Sequence, residues 1–357
     1  MARVRRSTDV AVVGAGINGL ATALALADRG IDHRVFEAAR PGAGQSAGRT
    51  RLFRHGHRTQ ELVELARDAL VAWGEWEERL GVTLLGRQGV LVTGAEAEPH
   101  VARLGRAGVA ARLVQPPEQE ALLPLLRAPG GPALLDEDGG SIDVRTSIRA
   151  LAGAAGERLV TAEVFGLVPG DPTLVETSEG IWEAGRVVLC AGAGLDSLTR
   201  VAGLEVPLSV GCHARATFAV GAPGACPPCL QEQTGAYGEV VYATPVPGEP
   251  LYAVGLAGDD NEVPLGPGRE RDASGLVERI SRYVSRALPG LDPEPVEVRL
   301  CLTTILPEGS DNFRIWERGP VIALAGDNLF KFAPLLGRLL AAAASGEPPP
   351  AWLRAGG

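Results

Sequence analysis

Of the 34 basic side chains in this sequence, 33 are arginine and one, Lys331, is lysine. It stands between Phe330 and Phe332, where an ammonium is required for itself rather than as an interchangeable surface charge. Arg51 and Arg54 are three apart after a glycine-rich stretch, and this spacing predicts that both face one way on a turn of helix. Gly14-Ala15-Gly16-Ile17-Asn18-Gly19 has the G-x-G-x-x-G spacing that cradles a diphosphate, and Glu37 lies about 20 residues on, where a carboxylate accepts hydrogen bonds from a ribose. Five cysteines at irregular positions make no disulfide framework. Cys226 and Cys229 have C-x-x-C spacing, half of a zinc site or a redox pair, but no second C-x-x-C or H-x-x-x-H accompanies them. With Pro227 and Pro228 between them they read as an exposed loop, and no metal is expected.

These residues need elements to hold them. Val10 to Val13 reads as a buried strand feeding the glycine turn, and Leu20 to Ala27 as the helix that follows, stopped at Gly30. Gly14 permits the tight turn, Gly16 lets the backbone approach a pyrophosphate, and Gly19 lets helix and strand pack closely. The unpaired N–H groups and dipole of the helix start favour the diphosphate. A second strand, His33 to Phe36, ends at Glu37. Glutamate there disfavours a 2'-phosphate, which leaves NAD and FAD.

Further along, apolar residues recur at helical spacing from Leu62 to Leu80 and Gly81 ends them. A turn and strand follow to Thr93, then short helices and turns from 95 to 135. Asp138 to Val144 reads as a turn and a helix cap. Arg186 to Cys190 is a buried strand ending in a second glycine turn at Gly192. Residues 205 to 300 are β-rich with a helix from Ala273 to Leu288, and Val321 to Gly326 is an apolar strand opening on a third glycine turn. The expected fold is α/β: a discontinuous FAD-binding Rossmann-like lobe (1–80, 142–205 and 301–357) and a β-rich α+β substrate lobe (81–141 and 206–300).

At 357 residues, with 45% hydrophobic side chains, the chain can bury two cores. A net charge of −9 argues against nucleic acid or an anionic membrane surface as partner. No apolar run reaches the roughly 18 residues of a membrane span. The basic start at Met1 to Arg6 lacks the apolar core of a signal peptide, so the expected location is cytoplasmic.

With these pieces in place, the chain resembles the monomeric sarcosine oxidase family of FAD-dependent amine oxidases over nearly its whole length. The resemblance rests on the Gly14 fingerprint, the Arg51 and Arg54 segment, Gly139-Gly140-Ser141-Ile142-Asp143-Val144-Arg145 and the turn at Val187 to Gly194. Its most specific parts are Cys301-Leu302 with Leu306-Pro307, and Phe330-Lys331-Phe332 with Pro334 and Gly337. It implies FAD held near Gly14, Gly16, Gly19, Glu37, Gly192, Gly326 and Lys331, and tethered by a thioether from Cys301 to the flavin 8α carbon. Arg299 is a candidate source of the positive charge a thiolate needs. The implied substrates are small amino or imino acids, with O2 or another acceptor taking the electrons. The resemblance extends to a member that acts in antibiotic biosynthesis, which implies a biosynthetic role.

Lys331 and Arg54 would then clamp the substrate carboxylate, because a cation between two Phe rings needs an anion to meet it. Arg51 would lie near the flavin, and Tyr242 would line the substrate cavity or simply pack in a sheet. The family's lysine that promotes oxygen reduction is replaced by Ala253. That departure favours a dehydrogenase passing electrons to a carrier other than O2. A flavin-binding protein without turnover is the rival of another class.

Overall fold

A computed structural model describes residues 6–94, 97–221, 226–233, 235–257, 263–264, 274–309 and 311–355. Its first sheet is built around strand Arg6–Val13, which pairs in parallel with His33–Glu37 on one side and Gly180–Leu189 on the other. Val321–Gly326 extends it in parallel beyond Gly180–Leu189, and Leu159–Thr161 beyond His33–Glu37. A strand covered on both faces reads as an unbroken apolar run, which is why Val10 to Val13 is legible without alternation. Val10 and Val12 pack into one core with the helices Ile17–Asp28 and Ala333–Ala344, while Ala11 and Val13 pack into another with Val187 and Leu189. Each fully buried Val or Leu contributes about 1.5–3 kcal/mol.

The second sheet is mostly antiparallel. Its centre is strand Ser209–Val220, flanked by Leu251–Leu256 and by the 15-residue strand Leu291–Ile305. Val241–Pro245, Cys229–Glu232, Val90–Thr93, Ala133–Asp136 and Ala111–Val114 continue it in that order. Helix Ser274–Ala287 buries Ile280, Tyr283 and Val284 against this sheet. Ala273, where the helix is expected to begin, lies outside the described residues.

Several local expectations are corrected. Arg51 is on a strand, Thr50–Phe53, paired antiparallel with Gly140–Asp143, not on a turn of helix, and Arg54 follows the strand. Gly140–Asp143 is itself a strand rather than a turn, although Asp143 does cap the next helix, Val144–Ala155, by accepting from Thr146 N at 2.9 Å. Ala111–Val114 and Ala133–Asp136 are strands where short helices and turns are expected. Segments of four residues take their state from the partner they pair with, not from their own pattern. The division at residue 301 falls inside Leu291–Ile305, which stays in the second sheet to its end.

Candidate active site

A cavity of about 680 Å³ runs between the two sheets. At one end it meets the carboxyl ends of the parallel strands, where open α/β sheets bind ligands. Gly14, Gly16, Glu37, Gly192 and Gly326 line it there, each just beyond or at the last residue of a strand. Gly19 does not line the cavity. A Cβ at that position would lie 1.8 Å from Gly14 O, so glycine is what lets the helix start on top of the turn. Glu37 accepts from Ala15 N at 2.8 Å and Ala39 N at 3.1 Å, which ties the second strand to the turn and leaves lone pairs for a further donor. At Gly16 the close neighbour is Ser46, whose hydroxyl accepts from Ile17 N at 2.9 Å. Ser46 comes from a loop with no motif, and sequence reasoning missed it.

The far end is a charge cluster. Lys331 is only 5% exposed and sits on a short 3-10 turn, Leu329–Phe332, whose Lys331 carbonyl accepts from Trp73 Nε1 at 2.8 Å. Its ammonium lies 5.5 Å from the centre of the Phe332 ring and donates no hydrogen bond to any described residue. Phe330, expected on its other side, is instead stacked on Trp73 with Arg51 5.7 Å from its ring. Arg54 reaches the same end and pairs with Asp311, Nη2 to Oδ2 at 2.9 Å. Burial and then Arg54 push Lys331 down to about 8, against the pull of Asp311 and Asp327. Burial alone would raise the Asp311 carboxyl, but Arg54, Lys331 and His57 hold it well below the usual carboxylate range. His57 is pushed down to about 3, by burial and then by Arg54 and Lys331, so its imidazole is neutral. Thus part of the anionic charge that Lys331 demands is supplied from within by Asp311, a residue no motif announces.

Between the two ends lies the second sheet. Cys301 is opposite His213 across paired strands, and both line the cavity. Arg51 is the cation that interacts with Cys301. Three carbonyls fix its guanidinium, those of Gln45, Ala47 and Thr50, at 3.1, 2.6 and 3.0 Å. Arg299, the expected source of charge, is bridged to Glu297 at 3.3 Å instead. Tyr242 lies edge-on to His213 at 6.3 Å, with the Arg215 guanidinium 5.5 Å from its ring. The ring covers Gly255 on the next strand, where a Cβ would come within 2.5 Å of it. His213 is pushed down to about 4 by burial, then by Arg51 and Arg215.

Arg215 is a buried cation that sequence reasoning passed over among 33 arginines. It donates to Thr50 O at 2.7 Å and to Thr244 Oγ1. Ala253 pairs with Thr244 and Thr217 in the sheet and is buried. Burial raises the Cys226 thiol and raises Cys229 well above its ordinary value, an unfavourable setting for a thiolate. Among the described residues no group of three or more His, Cys, Asp or Glu is placed to hold a metal ion. No helix among them is long and apolar enough to cross a membrane.

A glycine-turn cradle at the ends of parallel strands, opening into a cavity that ends in buried cations, defines a dinucleotide-dependent enzyme. The chain belongs to the FAD dependent oxidoreductase family (DAO), whose model matches residues 9–343. Of the two dinucleotides left open by Glu37, FAD is therefore the cofactor, and the turn, Glu37 and the cavity fit it. No curated protein matches the sequence significantly. Among solved structures, NikD, an unusual amino acid oxidase essential for nikkomycin biosynthesis, is 26% identical, with 99% of this chain and 100% of that chain covered and a TM-score of 0.83. L-Proline dehydrogenase from P. horikoshii is 21% identical over 97% of this chain and 95% of that one, at a TM-score of 0.84. Glycine oxidase from Geobacillus kaustophilus is likewise 21% identical over 97% and 96%, at 0.76. The last two bear on the fold alone.

Proposed function

We propose that this chain oxidises the C–N bond next to the carboxylate of a small secondary or cyclic amino acid. The observation that carries the reading is the Lys331 ammonium, buried at the end of an FAD site with its donors unused among the described residues. Lys331 and the free edge of Arg54 hold the substrate carboxylate, and the neutral His213 and Tyr242 bound the cavity beside the reacting carbon. Bound FAD supplies the hydride acceptor. Arg51, fixed by backbone carbonyls, places positive charge where negative charge develops. Cys301 tethers the flavin. The likeness to NikD supports an amino acid as substrate and a biosynthetic role.

Acid precipitation tests the tether. The wild-type pellet stays yellow, and the Cys301→Ser pellet is colourless while its supernatant carries the flavin. A colourless wild-type pellet removes the thioether.

The clamp has a pH signature. Lys331 must be protonated to bind a carboxylate, and its pKa in the free protein is about 8. Affinity for a simple carboxylate such as benzoate is therefore steady below pH 8 and falls by up to about tenfold per pH unit above it. A profile flat to pH 9.5 takes Lys331 out of the contact.

Ala253 favours a second reading, a dehydrogenase that passes electrons to a carrier. Hydrogen peroxide released during turnover in air separates an oxidase from it.

A further inference from the structure

Two non-glycine residues among those described have a left-handed backbone, Asp311 at φ 60 and Asn328 at φ 54. They come from different segments and bond each other: Asn328 Nδ2 donates to Asp311 Oδ1 at 2.8 Å. The other oxygen, Oδ2, accepts from Arg54 at 2.9 Å and lies 3.5 Å from His57 Nδ1. Both residues line the cavity beside Lys331. Backbone of this kind is unfavourable for a residue with a side chain and persists where the surroundings over-determine it. Here both strained positions serve one carboxylate.

We propose that Asp311, held by Asn328, is a positioning and specificity-determining residue that aims Arg54 and restricts the site to substrates bearing a single carboxylate. The proposal rests on reading this end of the cavity as the carboxylate site. With Oδ1 fixed by Asn328 and Oδ2 by Arg54, Asp311 engages one edge of the guanidinium and leaves its other N–H donors turned to the cavity. The ammonium of Lys331 shares that volume, so one carboxylate meets two cations. A second carboxylate on the ligand meets Asp311 and Asp327 instead, two fixed anions that line the same end. Discrimination of this sort works by repulsion as much as by attraction.

The test uses FAD-loaded protein, with benzoate and isophthalate as the one- and two-carboxylate probes, titrated through the change in flavin absorbance. Wild type prefers benzoate at least tenfold. Asp311→Asn lowers that ratio at least tenfold, and Asp311→Glu, which restores the charge, brings it back to within threefold of wild type. A role in packing alone weakens both probes by one factor and leaves the ratio where it was, which overturns the proposal. The groups facing Lys331 and Asp311 are Arg54, His57, Asp327 and Asn328. Removal of the Asp311 charge therefore also moves the pH at which benzoate binding declines to a lower value. If Asp311→Asn fails to load FAD, Asn328→Gly tests the same point, since glycine accepts φ 54 and releases Oδ1. The ratio then falls at least threefold, and an unchanged ratio overturns the proposal. Wild type binding neither probe sinks the carboxylate-site reading; a wild-type preference that survives Asp311→Asn sinks only the part given to Asp311.

Discussion

Lys331→Met binds small carboxylated amines at least 100-fold more weakly than the wild type and neutral amines about equally well. Methionine keeps the unbranched stem against Phe332 and removes only the charge. Truncating one partner of a buried charge pair costs about 2–5 kcal/mol, and each 1.4 kcal/mol is about tenfold in affinity, so a loss of two decades lies inside the expected range. Arg54 already holds the carboxylate by the one edge that Asp311 leaves free, so it has no further edge with which to replace the lost ammonium. Nor does the substitution undermine the fold. Burial and Arg54 both disfavour this ammonium, and Asp311 keeps its ion pair with Arg54 when the ammonium is removed. Titration of a carboxylated cyclic amine and of its decarboxylated counterpart, with a melting curve of each protein, checks both halves. An equal loss for the two ligands contradicts the clamp.

Gly19→Ala has the largest expected effect on the protein itself. The added methyl group would lie 1.8 Å from Gly14 O and 3.5 Å from Cys190 Cβ. The first neighbour is backbone, so no side chain can swing away, and the helix Ile17–Asp28 must move off the turn. That helix carries nine buried residues from Ile17 to Leu26. The cost is about 3–5 kcal/mol, at the upper end for a single substitution. The denaturation midpoint falls, and the soluble fraction that remains holds little FAD. A Gly19→Ala protein with wild-type stability and full flavin content contradicts the geometry of the turn.

The nucleotide end was legible because its requirements are local. Gly14, Gly19 and Glu37 are set by two neighbouring strands, one turn and one helix, all within 32 residues of sequence. Lys331 was legible for a different reason, the rarity of its type. What escaped was non-local. Asp311 gains meaning only when the loop after Leu291–Ile305 meets Arg54, 257 positions away in the chain. Arg215 is one arginine among many until the sheet places it over Tyr242. Phe330 and Phe332 flank Lys331 in sequence, yet the turn sends one ring to Trp73 and Arg51 and the other to Lys331 and His57. The strand at Arg51 is not legible because its pairing partner, Gly140–Asp143, carries no strand pattern of its own.

A chain with a single lysine has a single ε-amine, and this one is half-deprotonated near pH 8 at the bottom of a cavity. Its chemistry with acylating reagents is thus addressed to one atom, apart from the terminal amine. A slim carboxylated electrophile becomes a stoichiometric label, bulky reagents leave Lys331 untouched, and competing ligands are ranked by how well they protect it.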